Sequence, residues 1–352
     1  AVPHRGRRAV RPADRAVRAR MNAKVSFGPL ALAVWQLWGS AAVVLVLGCL
    51  PWLIDPFQTL QISYGLIFGI AALGFNLLLG YTGLLSFGHA AFFGTGAYAA
   101  ALALKYLGVQ SMELYVVGGV GASLVLGVIM GAVCVRYTRI FFAILALALS
   151  QVVWSLALKF FWVSGGTDGL RLPTPTLLGG LVTPAADKTT FLAFQYYYYV
   201  LVVFVLAVAA MWLMVRSPFG KALQAIRDNE VRAEFVGVRV RRYRFIAFVT
   251  SAGFTGLAGT LWVPLNGLTT PDVLYWPFSG KIVFMAVLGG FKTFLGPIVG
   301  AFAYNYLETF AVGYTIYWQL LLGVVLVVLV LAIPDGLVGT AIKLARRLRK
   351  AS

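Results

Sequence analysis

Residues 114–135 have the sequence LYVVGGVGASLVLGVIMGAVCV, a run of 22 residues without a charged side chain. At 1.5 Å of rise per residue, an α-helix of this length extends about 33 Å, enough to cross the hydrocarbon core of a bilayer. Similar runs recur along the chain, in which 61% of the residues are hydrophobic and 11% are charged. A soluble domain carries about 25% charged residues. The sequence therefore predicts a polytopic helical membrane protein and excludes a soluble enzyme.

The same pattern along the whole chain predicts an all-α transmembrane bundle of about ten spans. The apolar runs cover 31–54, 60–79, 88–104, 114–135, 140–163, 196–215, 245–264, 281–290, 295–313 and 316–333. Of these, 281–290 is short for a span. We divide the chain into a basic tail (1–24), a transmembrane domain (25–340) with a charged loop (216–244), and a second basic tail (341–352).

Basic residues lie mainly in loops that alternating helices place on one side of the membrane. Lys and Arg number 29 against 11 Asp and Glu, but no basic stripe with interleaved aromatic residues indicates a nucleic-acid partner. With a cytoplasmic N-terminus, 24 of the 29 basic residues fall in cytoplasmic loops or tails, as positive-inside insertion requires. We therefore expect both termini to be cytoplasmic and the chain to contact membrane lipid.

The segment before Met21 is rich in Arg, Ala and Pro and has no apolar periodicity. We expect Met21 to be the native start and residues 1–20 to be an extension of it. The alternative is a functional basic arm that binds anionic lipid.

Two glycine-rich segments indicate helices that break within the membrane and restart. Residues 80–96 hold five glycines, and residues 288–300 hold four glycines and Pro297. Irregular backbone at membrane depth is tolerated where it lines a water-filled path, so paired breaks are typical of transporters built from repeats. Close packing of helices through small residues is the alternative.

Candidate path residues come from these segments and from the predicted spans. They are Asn76, Gly80, Thr82, Gly83, Ser86, His89, Gly289, Gly290 and Glu308. Glu308 is the only acidic residue well inside a predicted span, which makes it a candidate by default. For Asn76, His89 and Glu308 the alternative is hydrogen bonding between helices, or snorkelling in the case of Glu308.

The sequence contains no recognisable catalytic or metal-binding motif. His4 and His89 are its only histidines, GxSxG is absent, and the segment around Lys292 lacks the glycines of a phosphate loop. Cys49 and Cys134 lie inside apolar runs, away from any partner at metal-ligand spacing. We therefore expect no enzyme, no metal and no ATP bound by this chain.

The loop 216–244 is charged but has the pattern of one ordered helix. We expect Ser217 to cap it, Pro218 to take its first position and Gly237 to adopt a left-handed conformation after its end. The expected apolar face consists of Ala222, Leu223, Ala225, Ile226, Ala233 and Val236.

This loop helix has two interpretations. It can lie on the lipid headgroups, attracted by the eight basic residues of the loop. It can also dock into a cytoplasmic protein, which Asp228, Glu230 and Glu234 favour because anionic headgroups would repel them. Asp228 is also spaced i,i+4 from Arg232, with which we expect it to pair.

Six motifs follow one another between about residues 60 and 300. They are ALGFNLLLGYTGLLSFGHAAFFG (72–94), GGTDG (165–169), SPFGKALQAIRDNE (217–230), AEFVG (233–237), AGTL (258–261) and VLGGFKTFLGP (287–297). In these motifs the chain resembles the LivM-type inner-membrane permease subunits of bacterial ABC importers for branched-chain amino acids. The segment before Met21 and the external loop 170–188 depart from that pattern.

The resemblance implies an importer of the bacterial inner membrane, in which two permeases, usually a heterodimer, surround one path. Two cytoplasmic ATPase subunits would bind ATP and Mg²⁺, so that this chain itself holds no cofactor. A periplasmic or lipid-anchored solute-binding protein would deliver branched-chain amino acids or related small amino acids and amides. A stand-alone secondary transporter or channel for a small polar solute, coupled through Glu308 or to no ion at all, is the alternative.

The resemblance also makes the loop helix the coupling helix that fits into an ATPase subunit. The residues that it assigns to coupling are Ser217, Pro218, Gly220, Ala222, Ala225, Asp228, Glu230, Ala233, Glu234 and Gly237.

Overall fold

The computed structural model describes residues 42–184 and 187–351. The expected extension 1–20, the start at Met21 and the first part of the predicted run 31–54 lie outside the described residues. The chain divides into two units, Ala1–Leu50 and Pro51–Ser352. Of the first unit, the structure describes the beginning of helix α1 (Ala42–Leu53). Everything below concerns the second unit.

The second unit is almost entirely helical. Its further α-helices are α2 (Pro56–Asn76), α3 (His89–Leu107), α4 (Met112–Cys134), α5 (Arg139–Lys159), α6 (Phe161–Ser164), α7 (Lys188–Phe191), α8 (Tyr197–Arg216), α9 (Pro218–Asp228), α10 (Glu230–Phe235), α11 (Val240–Asn266), α12 (Trp276–Gly289), α13 (Gly296–Tyr314), α14 (Trp318–Ala332) and α15 (Gly336–Ala351). A π-helical turn, Leu77–Thr82, continues α2, and another, Leu192–Tyr196, joins α7 to α8. Short 3-10 turns cover Gly166–Asp168, Leu178–Gly180 and Pro271–Leu274. Strands β1 (Leu170–Arg171) and β2 (Leu268–Thr269) pair antiparallel.

Seven helical stretches of the described ranges are long and apolar enough to cross a membrane. They are Pro56–Thr82, His89–Leu107, Met112–Cys134, Ile140–Lys159, Lys188–Arg216, Val240–Asn266 and Trp318–Ala345. Each predicted apolar run contains a helix, and the all-α polytopic fold is confirmed. The short run 281–290 forms the C-terminal part of α12, which begins at Trp276 and has 14 residues.

Helix α11 lies at the centre of the bundle, where it packs against α2, α3 and α4. Small residues make these contacts. A side chain at Gly256 would collide with Ser123 of α4, and one at Gly259 would collide with the backbone of Phe93 in α3. Such close approach matters because lipid tails are as apolar as the side chains, so van der Waals packing holds the helices together.

Loops that the alternation of spans places on the same side lie together in the structure. At one end, which we call the α9 end, the π-turn after α2 contacts α9, and the turn after α12 contacts the start of α15. At the opposite end, which we call the β end, Lys105 donates from Nζ to the carbonyl of Trp162 at 2.7 Å, and β1 pairs with β2. Each end of the bundle is therefore formed by a different set of loops.

Candidate functional site

The first segment predicted to break contains the end of one helix and the start of α3. That either predicted break lies within the membrane stays a prediction. Helix α2 widens into the π-helical turn Leu77–Thr82, which ends at Gly83 with φ of +74°. A left-handed residue after a helix is most favourable as glycine, because it has no Cβ to clash. Helix α3 then starts at His89.

The second predicted break is present between α12 and α13. Helix α12 ends at Gly289, and Gly290 has φ of +106°. The hydroxyl of Thr293 donates to the carbonyl of Gly290 at 3.1 Å and accepts from the amide of Gly296, also at 3.1 Å, which caps the start of α13. Close packing accompanies the break, since Gly289 lies against the backbone of Gly296 and Gly300.

The two breaks meet at Gly80. A Cβ on Gly80 would collide with the carbonyl oxygen of Phe291 and with the side chain of Asn76. The structure therefore brings the predicted residues of the π-turn next to the turn that follows Gly290. Asn76 is buried, and neither its amide nitrogen nor its oxygen has a hydrogen-bond partner among the described residues.

His89 ties three helices together in the core. Its Nε2 lies 2.8 Å from the Ser251 hydroxyl of α11, which donates to the carbonyl of Gly74 in α2 at 2.6 Å. Because that hydroxyl proton points to Gly74, Nε2 carries the proton of the His89 contact. This arrangement favours hydrogen bonding between helices over a path-lining role for His89. Sequence reasoning missed Ser251, which lies within a small-residue stretch of α11 and carries no motif.

The remaining polar candidates near the first break bond locally. The Thr82 hydroxyl donates to the carbonyl of Leu78 at 2.6 Å, and the Ser86 hydroxyl accepts from the amide of Gly88 at 3.3 Å. Both side chains are buried within the chain.

Glu308 lies apart from the two breaks. It is 12 residues beyond Gly296, about 18 Å along α13. Its carboxylate forms a salt bridge with Lys281, whose Nζ lies 4.6 Å from the ring centre of Phe68. The charge of Glu308 is thus compensated within the chain, which favours the interhelical interpretation.

The loop helix was predicted as one element, and that prediction is wrong. Asn229 is extended, with φ −160° and ψ 105°, and separates α9 from α10. Its side chain accepts from the amide of Arg232 at 3.0 Å and so caps α10. Pro218 takes the first position of α9 and Gly237 has φ of +90°, as predicted.

Two further details of the loop helix differ from expectation. Ser217 does not cap α9, because its hydroxyl donates backwards to the carbonyl of Met214 at 2.6 Å, at the end of α8. Asp228 pairs with its neighbour Arg227 at 3.1 Å, because the extended Asn229 breaks the i,i+4 register with Arg232. Gly220 allows the sharp turn from α8, since a side chain there would strike the Val215 backbone.

The apolar face of the segment is narrower than predicted. Leu223, Ile226 and Ala233 are buried, and Ala222 is half-buried. Ala225 and Val236 are exposed, which corrects the prediction for both. The inward face follows the Leu223–Ile226 spacing, and the break at Asn229 turns α10 so that only Ala233 faces the bundle.

Turning α10 leaves an apolar surface uncovered. Val231, Phe235 and Val236 are 62%, 87% and 78% exposed. Together with Glu234 we call them the docking patch. Val231 and Phe235 were missed from the sequence, although their i,i+4 spacing on a charged helix was a readable signal.

The three acidic residues of the segment do not act alike. Glu230 accepts two hydrogen bonds from Arg244, at 2.7 and 2.8 Å, and Arg244 is buried at the start of α11. Asp228 forms an ion pair with Arg227. Of the three, only Glu234 has no ion pair within the described ranges, so the charge argument for a protein partner applies to Glu234 alone.

Arg227 connects the segment to the first break. Its Nη1 donates to the carbonyl of Gly80 at 2.5 Å, and its aliphatic chain packs on Gly83. Nothing in the sequence indicated this contact, because the two residues are 147 positions apart.

Comparison with known proteins shows the family of the chain. A family model described as "Branched-chain amino acid transport system / permease component" matches residues 60–331. The high-affinity branched-chain amino acid transport system permease protein LivM of Escherichia coli (strain K12) is 28% identical over 292 residues, which are 77% of this chain and 68% of the relative. LivH of Salmonella typhimurium (strain LT2) is 24% identical over 294 residues, 79% of this chain and 93% of the relative. No solved structure shows significant similarity.

One relative is named for the import of a different substrate. The autoinducer 2 import system permease protein LsrC of Klebsiella pneumoniae is 28% identical over 155 residues, 42% of this chain and 40% of the relative.

The matched region covers well over half of the chain and includes nearly all of its apolar helices. With seven candidate spans, the protein is a multi-pass inner-membrane protein, and a permease subunit is a transport component rather than an enzyme. The chain therefore belongs to the family of permease components of branched-chain amino acid transport systems.

Proposed function

We propose that this chain is the membrane permease subunit of an ATP-driven importer for branched-chain amino acids or related small amino acids and amides. The observation that carries the proposal is the docking patch of α10, an exposed apolar surface at a polar, basic end of the bundle. Exposed apolar clusters rimmed by charge mark protein or membrane interaction sites. Glu234, which has no ion pair among the described residues, favours a protein partner here, because anionic headgroups would repel it. The relatives named as branched-chain permeases support the substrate class.

The α9 end faces the cytoplasm in this proposal. Its loops carry most of the basic residues, as positive-inside insertion favours. Each permease would receive one ATPase subunit on its docking patch, and ATP and Mg²⁺ would bind to the ATPase subunits alone. A second permease would complete the path, and a solute-binding protein would dock on the β end.

Transport would proceed by movement of the α9–α10 segment. Closure of the two ATPase subunits on ATP would displace the segment and shift the bundle between inward- and outward-facing states. Asn76, Gly80, Gly83, Gly289 and Gly290 lie at or beside the place where the two breaks meet, where the helices α2 and α12 end. We assign the path to this region, shared with the second permease.

A stand-alone carrier coupled through Glu308 is not favoured. The Glu308 carboxylate forms an ion pair with Lys281, so its charge is compensated between α12 and α13 within this chain. The relatives named above are permease proteins of transport or import systems.

The docking patch is tested by comparing Phe235→Asp with Leu181→Asp. Leu181 lies at the β end and is 88% exposed, nearly the same as Phe235 at 87%, so it is a matched control. Each tagged chain is purified from membranes of its native host in mild detergent. We expect Leu181→Asp to recover both ATPase subunits and the second permease, and Phe235→Asp to recover the second permease without the ATPases. Equal recovery of ATPases by both variants would contradict the patch assignment.

A further inference from the structure

We propose that Arg227 is the positioning residue that transmits movement of α9 to the broken end of α2. This inference rests on the proposed function, because it assumes that an ATPase subunit moves the α9–α10 segment. In this proposal the Arg227 side chain connects the segment that carries the docking patch to the region where the two breaks meet.

The end of the π-helical turn supplies the acceptor that Arg227 uses. The last carbonyls of a helix have no intrahelical donor, so the Gly80 carbonyl, two residues before the end of the turn at Thr82, is available to an outside donor. Nη1 of Arg227 donates to the Gly80 carbonyl at 2.5 Å, in a charge-assisted hydrogen bond. This bond joins the guanidinium of α9 directly to the backbone of the break.

The other edge of the guanidinium is fixed to α9 itself. Nε and Nη2 donate to Oδ1 of Asp228 at 3.2 and 3.1 Å. Because the guanidinium is planar and its donors form a rigid fork, holding one edge orients the other. The position of the Gly80 contact therefore follows the position of α9.

Steric contact acts in the same direction as the hydrogen bond. A Cβ on Gly83 would lie 3.1 Å from Cγ of Arg227, so the arginine stem rests on the left-handed residue that ends the π-turn. Gly80 in turn touches the Phe291 carbonyl. Displacing α9 would thus move the first break and, through Gly80, press on the second.

Arg227 is separate from the contacts that hold α9 in place. Leu77, Leu78, Leu223 and Ile226 belong to one buried apolar cluster that packs α9 against the π-turn. The Arg227 side chain is 38% exposed and lies at the margin of this cluster. Replacing it should leave the packing of α9 intact while removing the polar link.

The test uses the complete importer reconstituted into proteoliposomes, with ATP hydrolysis and leucine uptake measured in parallel. Arg227→Gln is compared with Arg241→Gln, an exposed arginine at the start of α11 whose side chain has no hydrogen bond or ion pair among the described residues. We expect Arg227→Gln to assemble and hydrolyse ATP while the ATP consumed per leucine imported rises about ten-fold, within the usual range of coupling energies. Arg241→Gln should keep the wild-type ratio.

If Arg227→Gln fails to assemble, the ATP consumed per leucine imported is measured for Arg227→Lys instead. Lysine keeps one donor for Gly80 but cannot hold Asp228 with a fork, so the ratio should rise to a value between wild type and the glutamine variant. A wild-type ratio in an assembled Arg227→Gln, or in Arg227→Lys alone, would overturn the inference. Failure of the wild-type chain to recover ATPase subunits would instead refute the proposed function, so the two failures are distinguishable.

Discussion

At the scale of single residues, Ser251 shows how the core of this bundle is fixed by polar contacts. One hydroxyl accepts from His89 and donates to the Gly74 carbonyl, so that α2, α3 and α11 share two hydrogen bonds. In a membrane, hydrogen bonds between helices contribute roughly 0.6–2 kcal/mol each. Loss of both hydrogen bonds should lower the free energy of unfolding by a measurable amount.

Ser251→Ala should lower the stability of the purified protein by about 1–3 kcal/mol, because it also leaves Nε2 of the buried His89 without its hydrogen-bond partner. Ser150→Ala is the matched control, since Ser150 is equally buried but its hydroxyl has no hydrogen-bond partner among the described residues. Thermal unfolding in detergent measures both. A drop in melting temperature for Ser150→Ala as large as that for Ser251→Ala would contradict this account of the core.

Single residues were also the scale at which sequence reasoning was weakest. His89 and Asn76 could be selected because polar residues in apolar runs are conspicuous. Ser251, Arg227 and Arg244 could not, because each acts through a partner distant in the sequence: Gly74, Gly80 and Glu230. Charge pairing at i,i+4 was misjudged for Asp228, since a single extended residue removes that spacing.

At the scale of elements, the sequence predicted the positions of two helix interruptions, while their depth in the membrane stays a prediction. Clusters of glycine near 80–96 and 288–300 located both breaks, because positive φ and close backbone approach both require glycine. The division of the loop helix was missed. Asn229 is a good N-cap, but a cap in the middle of an otherwise helical pattern is readily taken as a surface residue.

Gly80→Ala should separate the two breaks. Its methyl group would collide with the backbone carbonyl of Phe291, which cannot rotate away as a flexible side chain can. We expect a chain that still inserts and assembles but imports leucine at least several-fold more slowly. Gly118→Ala is the control, because this helical glycine of α4 has open space around its Cβ position and alanine favours a helix by about 1 kcal/mol. Uptake by Gly80→Ala at the wild-type rate would show that the contact between the breaks is dispensable.

At the scale of the whole molecule, composition alone predicted the class, and the alternation of spans predicted which loops share an end. Hydrophobic runs of membrane length leave few alternatives to a helical bundle. The packing order, with α11 against α2, α3 and α4, was not predictable, because lipid-facing and partner-facing surfaces are equally apolar. The exposed docking patch likewise depends on how α10 turns after Asn229.

The central claim is that α10 docks into an ATPase subunit, and a photo-crosslinking side chain placed at position 235 tests it most directly. The modified chain is irradiated in native membranes, and the adducts are identified by mass spectrometry, with position 181 modified in parallel. We predict that position 235 crosslinks to a cytoplasmic ATPase and that position 181 does not. Adducts of position 235 with lipid alone, in membranes where the second permease is still bound, would contradict the claim.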